Sequence, residues 1–313
     1  MPILLGILAT AGAGGAGFLA VAGYFAGGFG NSGGVSTVDK FAFPSDSRST
    51  LGTGLSSDSY ALAGVSNTNV AGYCGGGNPR TTSVDKFTFP SDSRSTLGTT
   101  LSNSADQMAG FDDRAVAGYF GGGLAVSPTT FLTTVDKFAF PSDSKSTLGT
   151  GLSVGKILFA GMANWGVAGY FGGGSTSEAS HTTTVEKFAF PSDSRSILGT
   201  GLSGIRSQLA GMSNSGVAGY FGGGTSGTFL TTVDKFAFPS DSTSTLGTGL
   251  SSARVGSGGF ANPNVGGYFG GGTTDNGVNT TTVDKFAFPS DSRSTLGTGL
   301  SVGRKSIGQM QNA

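Results

Sequence analysis

The chain has 313 residues, enough for one large domain or two ordinary ones. Acids and bases balance at 18 each, which sets aside a general nucleic-acid binder, since that would carry a basic excess. Glycine supplies 58 residues and charged groups only 12%, but 24 Phe and 7 Tyr exclude the aromatic-poor composition of a disordered chain.

The first stretch, MPILLGILATAGAGGAG (residues 1–17), carries no charge. It has no basic residue of the kind that opens a secretory signal, and its apolar part falls short of the ~17–25 residues a membrane span needs, so a membrane role is not expected. Two readings remain open at this point. The arm is an anchor, packing its Ile, Leu and Ala into an oligomer or larger particle, or it is itself the first strand of the fold.

Beyond it the sequence repeats. Val-Asp-Lys, once Val-Glu-Lys, begins at Val38, Val84, Val135, Val185, Val233 and Val283. A second motif, most often VAGYFGGG, begins at Val21, Val70, Val116, Val167, Val217 and Val265. One unit reads as four short strands. Strand A is apolar, as in QLAGM (208–212), and strand B is VAGYF. Strand C, VDKFAF, alternates β-branched and aromatic residues, and strand D is the glycine-broken STLGTGLS. The C–D turn reads Pro-Ser-Asp-Ser in every copy, while Asn or Asp recurs at the A–B turn. Four strands in ~50 residues, repeated, predict an all-β fold of β-propeller type with six blades. Solenoid coils are shorter, and isolated four-stranded sheets would leave a bare face.

These motifs resemble the kelch repeat over residues 19–313. The double glycine of YFGGG matches, as do the strand-C aromatics Phe41, Phe87, Phe138, Phe188, Phe236 and Phe286. Lys156, Arg206, Arg254 and Arg304 match the basic residue that follows the fourth strand. The kelch tryptophan is absent from every repeat; the single Trp165 lies in a turn instead. The wording DKFAFPSDSRSTLGTGLS also looks like repeat proteins of marine bacteriophages, notably those of cyanobacteria. That likeness implies a virion protein, and the kelch likeness alone implies a cytoplasmic adaptor.

Strands B, C and D occur six times, but strand A is plain before only five B strands. Aligning Arg254 with Arg304 lays the last residues over a strand A and puts Asn312 on the turn asparagine. The C-terminal strand is therefore expected to complete the first blade and close the ring. This gives residues 1–17 as an arm and 18–313 as the six-bladed propeller.

With the strands antiparallel, the A–B and C–D turns share one face and the B–C and D–A loops the other. The second face carries the differences, and variable loops on a rigid scaffold are where binding usually sits. Phe131 and Phe229 in those loops, with Trp165 in its turn, are candidate contacts, because aromatics carry much of interface energy. Lys156, Arg206, Arg254 and Arg304 form either a partial basic ring for an anionic glycan or phosphate, or packing between blades. The remaining repeated charges are expected to be surface pairs worth ~0–1 kcal/mol each. His181, the only histidine, is a further binding candidate, though a lone His in a polar loop is more often solvated than ligating. Cys74 stands where other copies have Phe, and reads as a packed hydrophobe.

No enzyme is expected. The sequence lacks sialidase boxes, one His cannot supply a copper site, and no Ser-His-Asp set is available beyond His181. Asp112 and Asp113 remain an adjacent carboxylate pair at a turn. The expected role is a non-enzymatic binding or structural module without cofactor. It would meet virion subunits or its own copies through residues 1–17, and a host-surface glycan or protein through the loops.

Overall fold

The computed structural model describes residues 21–126, 129–177 and 180–312; the apolar arm, residues 1–17, lies outside them. Among the described residues the fold is all-β, and six four-stranded antiparallel sheets carry it. Sheet 2 runs Ala63–Asn67, Ala71–Gly75, Val84–Thr88, Ser93–Thr96, and sheet 3 Ala109–Asp113, Ala117–Gly121, Val135–Ala139, Ser144–Thr147. Sheet 4 runs Ala160–Asn164, Ala168–Gly172, Val185–Ala189, Ser194–Ile197, and sheet 5 Ala210–Asn214, Ala218–Gly222, Val233–Ala237, Ser242–Thr245. Sheet 6 is Gly258–Asn262, Gly266–Gly270, Val283–Ala287 and Ser292–Thr295. Sheet 1 takes its B, C and D strands from Ala22–Ala26, Val38–Ala42 and Ser47–Thr50, and its A strand from Gly308–Asn312 at the other end of the chain. Ala22 pairs with Asn312 and Ala26 with Gly308.

Two boundaries differ from the sequence reading. Each A strand starts two residues later than expected, because Ala61, Gln107, Leu158, Gln208 and Ser306 adopt left-handed φ of 55–58° and Gly256 one of 69°. A residue in that conformation cannot continue a strand. Strand D runs Ser47–Thr50 in the first copy, starting two residues before the expected STLGTGLS and keeping only its first two residues, because LGTGLS bends back to meet the next sheet.

Strand periodicity explains how the sheets join. Along VDKF, alternate side chains point to opposite faces. Val38 packs in one cluster with Phe87 and Phe89 of sheet 2, while Phe41 packs with Phe260 and Tyr268 of sheet 6. Strand B is buried on both faces, so Tyr24 faces sheet 2 and Phe25 faces sheet 6. Each hydrophobic cluster thus lies between two sheets, not within one.

The polar contacts follow the same alternation. Tyr24 Oη donates to Asp92 Oδ1 at 2.8 Å and Lys40 Nζ to Asp92 Oδ2 at 2.6 Å, both across to the C–D turn of sheet 2. The same pair of donors reaches Asp143, Asp193, Asp241 and Asp291 from sheets 2 to 5. From sheet 6, Tyr268 and Lys285 reach Asp46 of sheet 1 at 2.7 and 2.6 Å. Burial, with the carboxylate beside it, pushes each of these phenols up, so they stay protonated donors. The Asp at the other side of strand C works in the reverse direction. Asp39 accepts from the Ser301 N–H at 2.8 Å and pairs with Arg304 at 3.0 Å, both from the loop after sheet 6.

That geometry corrects the expectation of weak surface pairs. Asp39, Glu186, Asp234 and Asp284 have no solvent exposure. Burial opposes ionisation of Asp39 and Asp284, but the facing guanidinium and the serine and threonine donors outweigh it and hold both carboxyls below the usual range. A lowered folded value stabilises the fold above the unfolded pKa near ~4, and that contribution is lost as pH falls through the folded value.

The A strands line the axis, each touching the next in the order of the sheets, with Gly308–Asn312 touching both sheet 6 and sheet 2. They meet backbone to backbone: a Cβ on Gly161 would overlap the carbonyl of Gly110, and one on Gly211 that of Gly161. Replacing Asp143 with Asn should leave Tyr73 and Lys86 without their charged acceptor and cost about 1.5–3 kcal/mol in a denaturant titration with unchanged slope. A loss under about 0.5 kcal/mol would show that the turn aspartate does not hold sheet to sheet.

Candidate functional site at the axial mouth

The residues that displace the A strands also build a site. The amide of Gln107 donates to the carbonyl of Ala61 at 2.7 Å, Leu158 to Gln107 at 3.2 Å and Gln208 to Leu158 at 2.7 Å. Gly256 donates to Gln208 at 2.9 Å, Ser306 to Gly256 at 2.6 Å, and Ala61 to Ser306 at 2.8 Å. The cycle is complete, one N–H and one C=O from each inter-sheet connection. It rims a shallow recess on the face of the B–C and D–A loops, walled by Leu62, Met108, Phe159, Leu209 and Ile307.

Left-handed φ costs a non-glycine residue ~1–2 kcal/mol and glycine almost nothing. Glycine would suffice if only the amide ring mattered, yet five of the six positions keep a side chain there. The mouth therefore presents Ala61, Gln107, Leu158, Gln208 and Ser306 on one repeated backbone.

Around this mouth the B–C connections form hairpins of different build. Leu124–Val126 pairs with Thr129–Phe131 in sheet 3's connection, Ser175–Ser177 with Ser180–His181 in sheet 4's, and Phe29–Gly30 with Gly33–Gly34 in sheet 1's. Phe131 and Phe229 are both half-buried on this face, in the connections of sheets 3 and 5, with sheet 4 between them. His181 Nδ1 lies 2.9 Å from Ser175 Oγ within its own hairpin. Sequence reading missed a third aromatic contact: Phe29 and Tyr60 meet edge to face at 4.9 Å, with the Lys305 ammonium 5.9 Å from the Phe29 ring. Nothing local couples those three, because they come from opposite ends of the chain.

Lys156, Arg206, Arg254 and Arg304 do not reach this surface. All four are at most 1% exposed, and they pair with Glu186, Asp234, Asp284 and Asp39 at 2.6–3.0 Å. Of the two sequence readings for these residues, packing between sheets fits and an exposed basic ring does not. Their cationic ends are spent on carboxylates.

Trp165 is on the other face, at an A–B turn, apart from Phe131 and Phe229. Its Nε1 donates to Asp112 Oδ1 at 3.1 Å, and the Arg114 guanidinium lies 5.0 Å from its ring. Asp112 also accepts from the Ser66 N–H at 3.1 Å, while Asp113 accepts from the Gly166 N–H at 2.7 Å. Adjacent on one strand, the two carboxylates point apart, so they do not form an acid–base pair. Among the described residues no group of three His, Cys, Asp or Glu could hold a metal ion.

No protein-family model matches the chain, and no curated protein matches it. Among solved structures it is similar to one titled "Structure of YjhT", with a TM-score of 0.69 and 13% identity over 84% of this chain and 91% of that one. At that identity the likeness shows the fold alone, a β-propeller-like repeat.

Burial pushes the Asp112 carboxyl up to about 7, against the opposing pull of its Ser66 and Trp165 donors. A raised folded value means the folded state holds a proton that the unfolded chain has lost, so this group's contribution falls as pH rises from ~4 to about 7. Trp165, the sole tryptophan, reports it directly. Its fluorescence should titrate with a midpoint near 7, and Asp112→Asn should abolish that titration. A flat emission profile from pH 5 to 8 in the unaltered protein would refute the assignment.

Proposed function

We propose that the chain is a six-bladed kelch-type β-propeller, closed by its C-terminal strand within the first blade, and that it acts as a non-enzymatic recognition module. Its recognition face is the one bearing the axial mouth and the B–C and D–A connections. One observation carries the reading: the amide ring repeats the same backbone in every blade, while its side chains and the surrounding hairpins differ. The face of the C–D turns is instead uniform, with the turn aspartate at φ 56° in all six copies.

The ligand class follows from what that face offers. Glutamine amides, serine and threonine hydroxyls and half-buried aromatics suit an uncharged, hydroxyl-rich surface such as a glycan. With the likeness of DKFAFPSDSRSTLGTGLS to marine phage repeat proteins, this supports a virion subunit that meets the host surface. Residues 1–17 would then join it to other virion subunits or to its own copies. A cellular adaptor would instead hold a peptide at the same mouth, and a purely architectural subunit would hold nothing there.

The test is binding of the full chain to a microbial glycan array and to intact host cells. We expect saturable binding that Gln107→Gly with Gln208→Gly weakens at least tenfold, and that Phe229→Ala weakens less, with the fold retained. Capture of an intracellular protein with no glycan or cell binding would replace this reading with the adaptor. Self-assembly with no binding of any kind would replace it with the architectural subunit.

A further inference from the structure

The repeat departs furthest from itself at one interface, between sheets 1 and 2. The third residue after the serine that follows strand D is Arg304, Lys156, Arg206 or Arg254 at four interfaces. Each sends its cation into the gap to a buried carboxylate, and Arg304, Arg206 and Arg254 also donate to the backbone carbonyls of Phe25, Phe221 and Phe269. Between sheets 1 and 2 the position is Ser59, and the aromatic is replaced as well, by Cys74. Between sheets 2 and 3 it is Ala105, but Phe120 is retained, and Lys145 reaches Ser102 beside Asp136 at 2.7 Å. Only one interface lacks both the cation and the ring.

The result is a small recess in which Asp85, 5% exposed, stands where its counterparts hold a cation. Asp85 keeps the serine donors of Ser56 at 2.7 and 2.8 Å, the Thr96 hydroxyl at 2.7 Å and an outer Arg94 at 3.6 Å. Asp39 has the equivalent outer Arg48 at 3.7 Å and, in addition, Arg304 at 3.0 Å. The Oγ of Ser59 is buried in the recess wall with no partner. A buried carboxylate one cation short, beside an unpaired buried hydroxyl, is a configuration that a bound donor would stabilise. Leu62 and Cys74 make the far wall apolar, and exposed Ser56 and Ser57 stand at its rim, so solvent reaches it.

We propose that this recess binds a small organic monocation with a guanidinium head and a short alkyl tail. The head donates to Asp85 Oδ2 and Ser59 Oγ in the place of the missing arginine, and the tail lies against Leu62 and Cys74 in the place of the missing ring. The site shares Leu62 with the recess at the axial mouth but none of its other lining residues, and it does not depend on the recognition reading.

The test is calorimetric titration of n-propylguanidinium chloride into the full chain at constant ionic strength, with guanidinium chloride as the tail-less control. We expect one saturable site per chain, tighter for the propyl ion than for guanidinium. Ser59→Arg supplies the cation from within and should abolish binding while raising the melting temperature. Cys74→Phe restores the ring and should remove the preference for the propyl ion. No saturable site in the unaltered protein, or unchanged affinity in a folded Ser59→Arg variant, would overturn the proposal. Should Ser59→Arg fail to fold, an undiminished propyl preference in Cys74→Phe would overturn it instead.

Discussion

A tyrosine and a lysine of one sheet closing on an aspartate of the next is the contact on which the architecture depends. It is directional: the donors sit on strands B and C, the acceptor in the C–D turn of the following sheet. Six such contacts in one sense bring the last donors, Tyr268 and Lys285, back to the first acceptor, Asp46. The acceptor must present two oxygens at a set height above the neighbouring sheet, and a left-handed turn residue does so. Aspartate tolerates that conformation better than most side chains. The turn therefore cannot drift in sequence without releasing a buried tyrosine and a half-buried lysine, whereas the loops at the other face hold no such obligation.

The repeat length, the strand count and the face on which variation collects were all legible in the sequence, because side-chain alternation and turn chemistry are local properties. So was the pairing of Gly308–Asn312 with Ala22–Ala26, since Asn312 falls on the turn position that Asn67, Asn164 and Asn214 occupy. In the structure Asn312 Oδ1 accepts from the Asn69 N–H as Asn164 Oδ1 accepts from the Gly216 N–H. The phase of strand A was not legible. Nothing in Gln107 or Leu158 signals a left-handed backbone; the neighbour's carbonyl imposes it. Nor could sequence decide whether Arg206 faces water or Asp234, since the two lie 28 residues apart, Arg206 in the connection after sheet 4 and Asp234 on strand C of sheet 5.

Burying so many ion pairs is not an obvious route to stability, since desolvation offsets most of the Coulomb gain. Their effect here is on registry. An apolar interface of Phe, Val and Ala tolerates sliding, whereas a guanidinium that must meet a carboxylate and a backbone carbonyl together does not. Near-identical sheets make that constraint necessary, because an interface that fits one neighbour would otherwise fit several registers equally well. Against this background the seam carrying Ser59 and Cys74 is the one that lacks both the registering cation and the ring.

The stitching of sheet 1 from both ends of the chain has a mechanical consequence. Ala22 and its partner Asn312 lie at the same end of two adjacent antiparallel strands. Tension applied through the two ends would therefore load the bonds between them one at a time, as a zipper is opened, and not all together in shear. A pull through the N-terminal segment alone, against a load on the loop face, instead runs lengthwise along Ala22–Ala26. That strand is held on both flanks, by Gly308–Asn312 and by Val38–Ala42. The same fold is thus weak when Ala22 and Asn312 are drawn apart and strong against a pull lengthwise along Ala22–Ala26.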